Sequence, residues 1–140
     1  MGARSKARKR ALDVLFSSDL RGIPLANALA IEAQRAAEQP ARESSWVYAR
    51  EIIEGVIDHA TEIDEHIETF SRDWTLARMP AVDRAILRIA VWELLYNSHV
   101  PTSVALAEAV TAAQTLSTDE SAGFVNGVLA AIANAHDAEA

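Results

Sequence analysis

The sequence predicts an all-α fold of about seven helices, and three observations predict it. Half of the residues are hydrophobic, alanine dominates, and only five Gly and four Pro interrupt the 140-residue chain. That composition favours helix over strand. Apolar residues recur at helical spacing along seven segments, and none alternates convincingly as a half-buried strand does. Breakers such as Gly22, Pro24, Pro40 and Pro101 fall between those segments rather than inside them.

The elements follow in order. The first helix runs from about Ser5 to Ser18, with Ala11, Leu12, Leu15 and Phe16 on one face. Gly22 ends that region. Pro24 suits a first helical turn, and an Ala-rich second helix covers about Leu25 to Glu38 until Pro40 breaks it. Ser44 or Ser45 caps a third helix, whose stripe is Trp46, Ala49, Ile53, Val56, Ile57 and Ala60. A short fourth helix follows, with Ile63, Ile67 and Phe70 as its seam. Residues 71–81 are a connection. The fifth helix, about Val82 to Asn97, is apolar almost all round, which marks a central element. Pro101 opens a sixth that reaches about Leu116. Residues 117–120 supply a cap and first-turn acids for a seventh, ending near His136. No fixed period or low-complexity linker divides the chain. Helices one to three (about 5–60) and four to seven (about 62–136) read as two packed short bundles sharing a core within one 1–140 domain.

Composition excludes several function classes. There is no cysteine, which removes disulfides, zinc–thiolate sites, iron–sulfur clusters and thiol nucleophiles. A reducing cytosol is the natural compartment, so the expectation is cytoplasmic. No apolar run approaches a membrane span. The start, MGARSKARKRALDVLF, is a poor secretory signal, because its apolar stretch is short and is broken at Asp13. It looks more like an Arg-rich transit peptide, yet the same segment reads as a core helix.

Charge is distributed unevenly. The first ten residues carry five cations and no anion: Arg4, Lys6, Arg8, Lys9 and Arg10. The remaining 130 residues set eight Lys/Arg against 20 Asp/Glu, a balance of −12. An acidic body with a basic tip points to a polyanion met at that tip. The plainer reading is a solvated basic terminus. At about 100° per residue, Arg4 and Arg8 fall in line with Leu12 and Leu15, while Lys6 and Arg10 point the opposite way. The cations then ring the first turns, so this end is expected to project past the bundle or to fray. With Ser5 nearby, such a ring can grip phosphates and offer guanidinium planes to unstacked bases.

Chemistry elsewhere is sparse. Glu93 falls among Val82, Ile86, Ile89 and Tyr96 on one face of the fifth helix, where a carboxylate needs partners. It reads as an architectural, hydrogen-bonded group rather than a catalytic acid. Hydroxyls, an Arg or the backbone N–H groups near Thr102 and Ser103 are its expected donors. Arg84 and Arg88 form an i, i+4 pair beside Asp83, read either as a solvated edge or as a partner-protein contact. His59, Glu62 and His66 share a face at metal-ligand spacing. They sit in a run, 51–70, with seven acids and no Lys or Arg, so a solvated acidic face is the better reading. There is no Gly-rich phosphate loop, no G-x-S-x-G and no H-E-x-x-H. No catalytic residue, metal or cofactor is expected.

The stretch Val82–Leu94 (VDRAILRIAVWEL), then Val100–Pro101, then Phe124–Leu129 (FVNGVL), together with the N-terminal ARSKARKRALDVLF, resembles the transcription antitermination factor NusB family over nearly the whole chain. The resemblance implies an all-helical, non-enzymatic RNA-binding protein. It would pair with NusE, a small-subunit ribosomal protein, and recognise boxA, a single-stranded element of nascent ribosomal RNA leaders. RNA polymerase with NusA and NusG would complete a complex that resists termination. The family's Arg-rich motif falls on Arg4, Lys6 and Arg8, with Ser5, Lys9 and Arg10 alongside. The expected NusE-facing surface takes Phe16 and Asp83, joined by Arg84 and Arg88, and Glu93 matches the signature's Glu.

Departures from the family pattern shift the expected footprint. Phe16 stands where members often have Tyr, and Gly123 where they often have Lys. No Lys or Arg follows Arg88, so RNA contact should lean on the N-terminus. Two rivals differ in class. One is a helical protein-interaction or dimerisation module without specific RNA binding, in which Trp92, Leu95 and Tyr96 contribute to a homodimer surface. The other is the NusB-like domain at the front of RNA methyltransferases. Without a following catalytic domain, this chain would not methylate RNA itself.

Overall fold

The computed structural model describes residues 2–72 and 74–139. Seven helices follow one another: α1 (Ala3–Arg21), α2 (Leu25–Ala37), α3 (Glu43–Asp58), α4 (Ala60–Phe70), α5 (Ala81–Tyr96), α6 (Thr102–Leu116) and α7 (Asp119–Glu139). Single 3₁₀ turns at Pro40–Arg42 and Leu76–Arg78 lead into α3 and α5. Among the described residues there is no strand. The chain is all-α, and it divides into two compact units, α1–α3 and α4–α7.

In the first unit α1 packs along α3. Ala7 and Ala11 of α1 and Ala49 of α3 are fully buried. Their small side chains let the two backbones approach, and Leu12, Val14, Leu15, Ile52, Ile53 and Val56 fill the seam. Each fully buried Ile contributes roughly 1.5–3 kcal/mol relative to exposure. Gly22 stops α1 in the left-handed conformation, φ 67°. Its N–H donates to Asp19 O at 3.3 Å, and the Ile23 N–H donates to Ser18 O at 3.1 Å. These bonds satisfy carbonyls that the last turn would otherwise orphan.

The start of α3 departs from expectation. Neither Ser44 nor Ser45 is its cap, because the 3₁₀ turn at Pro40–Arg42 runs directly into Glu43. Ser45 is buried in the first turn, and its hydroxyl donates to Arg42 O at 3.1 Å. The stripe is also wider than the one read from the sequence. Tyr48 and Ile52 join it, whereas Ala60 lies beyond the end of the helix and is exposed.

In the second unit α5 is central and packs against α4, α6 and α7. Ala85, Ile86, Leu87, Ile89, Ala90, Val91 and Trp92 are all buried. The burial of Trp92 removes it from the surface suggested for dimerisation. Helix α6 turns Ala105, Ala109 and Ala113 inward at i, i+4 spacing, a narrow small-residue edge that permits close packing. Pro80 and Pro101 precede α5 and α6, where a missing N–H costs nothing. Thr118 accepts the Ser121 N–H at 3.0 Å ahead of α7, the cap expected from residues 117–120. Among the described residues, no helix is long and apolar enough to cross a membrane.

Candidate nucleic-acid interface

The two units differ in charge. Residues 1–58 hold nine Lys/Arg and eight Asp/Glu, a balance of +1, whereas residues 59–140 hold four and twelve, a balance of −8. Positive potential is therefore concentrated in the first unit, at the start of α1.

That start is helical from Ala3, with Gly2 at the cap and the Lys6 N–H bonded to Gly2 O at 3.1 Å. No side chain caps it and no acid occupies its first turn. Lys and Arg there oppose the helix dipole, at roughly 0.3–1 kcal/mol for each charge in the first turn. Packing must offset that cost, and the packing corrects an expectation. The basic end neither projects nor frays. Arg8 and Arg10 are folded into the unit, only 9% and 8% exposed.

Arg10 is held from four sides. Its guanidinium donates to Arg42 O and to the Ser45 hydroxyl, each at 3.0 Å. It pairs with Glu32 at 3.5 Å and lies 5.2 Å from the centre of the Trp46 ring. One side chain thus joins α1 to α2, to the 3₁₀ turn and to α3. Burial of an arginine is tolerated when its donors are matched in this way. Arg10 is accordingly a structural pin and is withdrawn from the candidate RNA contacts. Arg4 and Arg8 lie against a second aromatic of α3. Their guanidinium carbons are 5.0 and 5.8 Å from the centre of the Tyr48 ring.

Arg4, Lys6 and Lys9 remain exposed, with Ser5 half-buried beside them. Lys9 reaches Asp13 at 2.6 Å, with both side chains well exposed. Such a pair is worth little and yields readily to a competing anion. The accessible cations are therefore Arg4, Lys6 and Lys9, at the positive end of a helix. Sequence alone does not single out Tyr48, Trp46, Ser45 and Glu32 as supports of this end. The one signal for them there is a second apolar line in α3, through Tyr48 and Ile52.

The residues expected to face a protein partner fare differently. Phe16 is 36% exposed on α1, with Leu20 exposed one turn further on. Asp83 is a correction: it is 0% exposed, and among the described residues neither carboxylate oxygen has a hydrogen-bond partner. It stands in the first turn of α5, where the helix dipole favours an anion. A partner protein cannot reach it in this conformation. Arg84 donates to Leu76 O at 2.9 Å and to Met79 O at 2.7 Å, fastening the preceding turn onto α5. Arg88 makes a two-pronged pair with Asp64 at 2.9 and 3.1 Å, joining α5 to α4. Both arginines are half-buried.

Glu93 is 1% exposed on the inner face of α5. His59 stacks face to face on Tyr96, with ring centres 3.8 Å apart and planes 9° from parallel. Burial, then the neighbouring Glu62 carboxylate, raise the Tyr96 phenol above its ordinary value of 10.0. Among the described residues, no group of three His, Asp or Glu could hold a metal ion.

Comparison with known proteins places this geometry in context. Residues 5–134 match the model of the NusB family. The transcription antitermination protein NusB of Leifsonia xyli subsp. xyli is 71% identical over 133 residues, covering 95% of this chain and 92% of that protein. Among solved structures, T. maritima NusB superposes with a TM-score of 0.78 at 31% identity, over 94% of this chain and 90% of that one. A crystal structure of antitermination factors NusB and NusE in complex with double-stranded RNA contains a chain similar at TM-score 0.77 and 29% identity. It spans 95% of this chain and 97% of that one.

Proposed function

The chain belongs to the NusB family, and from that premise we propose that it acts in transcription antitermination as an RNA-binding partner of NusE. It is not an enzyme. The observation that carries the RNA reading is the exposed trio Arg4, Lys6 and Lys9 at the uncapped start of α1. Cationic side chains and the positive end of the helix dipole converge there on one region. An RNA backbone meets both at once, and it relieves the like-charge cost that the free helix carries. Arg planes can also stack on unpaired bases, which suits a single-stranded target.

The target is boxA in nascent ribosomal RNA leaders, and the setting is the cytoplasm. NusE docks on a surface that includes Phe16, whose half-exposed ring lacks the hydroxyl of a tyrosine. RNA polymerase, NusA and NusG complete the assembly.

A labelled boxA RNA, titrated against the chain alone, NusE alone and an equimolar mixture, tests this reading. The mixture should bind at least about fivefold tighter than either component, within the usual range of coupling between two sites. A permuted RNA of the same composition should bind the mixture more weakly. Equal affinity for boxA and the permuted RNA would refute the reading.

A further inference from the structure

Helices α1 and α3 place one aromatic ring against two arginines. The guanidinium carbons of Arg4 and Arg8, at 5.0 and 5.8 Å from the Tyr48 ring centre, are both within cation–π range. Tyr48 is only 9% exposed, so its ring is fixed by the surrounding helices. Arg4 and Arg8 are one turn apart on α1, and like charges at that spacing repel. The face of the ring offsets part of the repulsion, and an arriving phosphate offsets more, because guanidinium–phosphate bonds are charge-assisted. A freely rotating arginine loses conformational entropy when it grips a phosphate. One already resting on a ring has given up part of that freedom during folding.

We propose that Tyr48 is a positioning residue of the RNA site. It holds Arg4 at the surface, with Arg8 behind it, in the arrangement that meets the RNA backbone. The role rests on the assignment of RNA binding to the start of α1. Tyr48 does not itself contact RNA. It acts through Arg4, and the ring rather than the hydroxyl is what matters.

A double-mutant cycle tests this with the full chain, NusE and a fluorescein-labelled boxA RNA. Tyr48→Leu keeps an apolar side chain but removes the ring, and it should weaken binding about 3- to 10-fold, the range of a partly desolvated cation–π contact. Tyr48→Phe keeps the ring and should bind within about twofold of the parent. In an Arg4→Ala background, Tyr48→Leu should cost less than about twofold, because its route of action is gone. An equal loss in both backgrounds, or a Tyr48→Phe variant as weak as Tyr48→Leu, overturns the positioning role alone. If Arg4→Ala binds like the parent, the RNA assignment at α1 falls, and this role falls with it. A measurement on the unmutated protein covers the case in which Tyr48→Leu does not fold. The Arg4 side-chain N–H resonance should be shifted upfield by the ring, and an unshifted resonance overturns the proposal.

Discussion

Arg10 illustrates how a charge enters a helical core. Helical phase on α1 correctly puts Arg8 on the buried line with Leu12 and Leu15, yet the same phase predicts a projecting end. The groups that make burial tolerable, Glu32, Arg42 O, Ser45, Trp46 and Tyr48, are supplied from α2, α3 and the turn between them. Spacing along one helix cannot reveal partners that a fold brings from another. Arg10→Ala should therefore destabilise the first unit by about 2–4 kcal/mol, through lost charge-assisted bonds and a weakly compensated Glu32. Urea unfolding followed by circular dichroism measures it, and a parent-like midpoint would remove Arg10 from its structural role. Asp83 defeats sequence reading for a related reason. A residue off the most apolar line of α5 reads as exposed, but a helix covered by α4, α6 and α7 has little exposed line to offer. Asp83→Lys should cost about 3–5 kcal/mol, because it buries an unpaired cation at the positive end of a helix. Normal melting by that variant would return Asp83 to the surface.

At the scale of elements, the helices are the most legible feature. Proline and glycine mark boundaries through local chemistry alone, so Gly22, Pro24 and Pro101 fall within a residue or two of the observed ends. The entry to α3 is not legible, because a 3₁₀ turn and a helix share nearly the same residue preferences, and Ser45 has a tertiary role instead of a capping one. Gly22 offers a clean test of element termination. It adopts φ +67°, and a Cβ added there meets nothing within 4 Å. Gly22→Ala should thus carry only the left-handed backbone penalty, about 1–2 kcal/mol. Thermal melting should show it as a lower Tm with helical content retained. A stabilised variant would mean that α1 does not need this conformation to end.

At the scale of the molecule, charge is the organising quantity, and it is plain in the order of the residues. Five cations and no anion in the first ten positions, on an otherwise acidic chain, mark one end for a polyanion. Residue order does not show that only part of the tip stays accessible, with Arg8 and Arg10 folded inward and Arg4, Lys6 and Lys9 left outside. The exposed cations are assigned to the RNA backbone, and everything proposed about function depends on that assignment. Its most direct test is the salt dependence of boxA affinity for the NusE complex, measured for the parent chain and for Arg4→Ala/Lys6→Ala. Each phosphate neutralised on a single strand contributes about −0.7 to the log–log slope. The double variant should show a slope shallower by about 1–1.5 and binding weaker by about 2–4 kcal/mol at low salt. Parallel salt curves of equal affinity would contradict the assignment and move the RNA site away from α1.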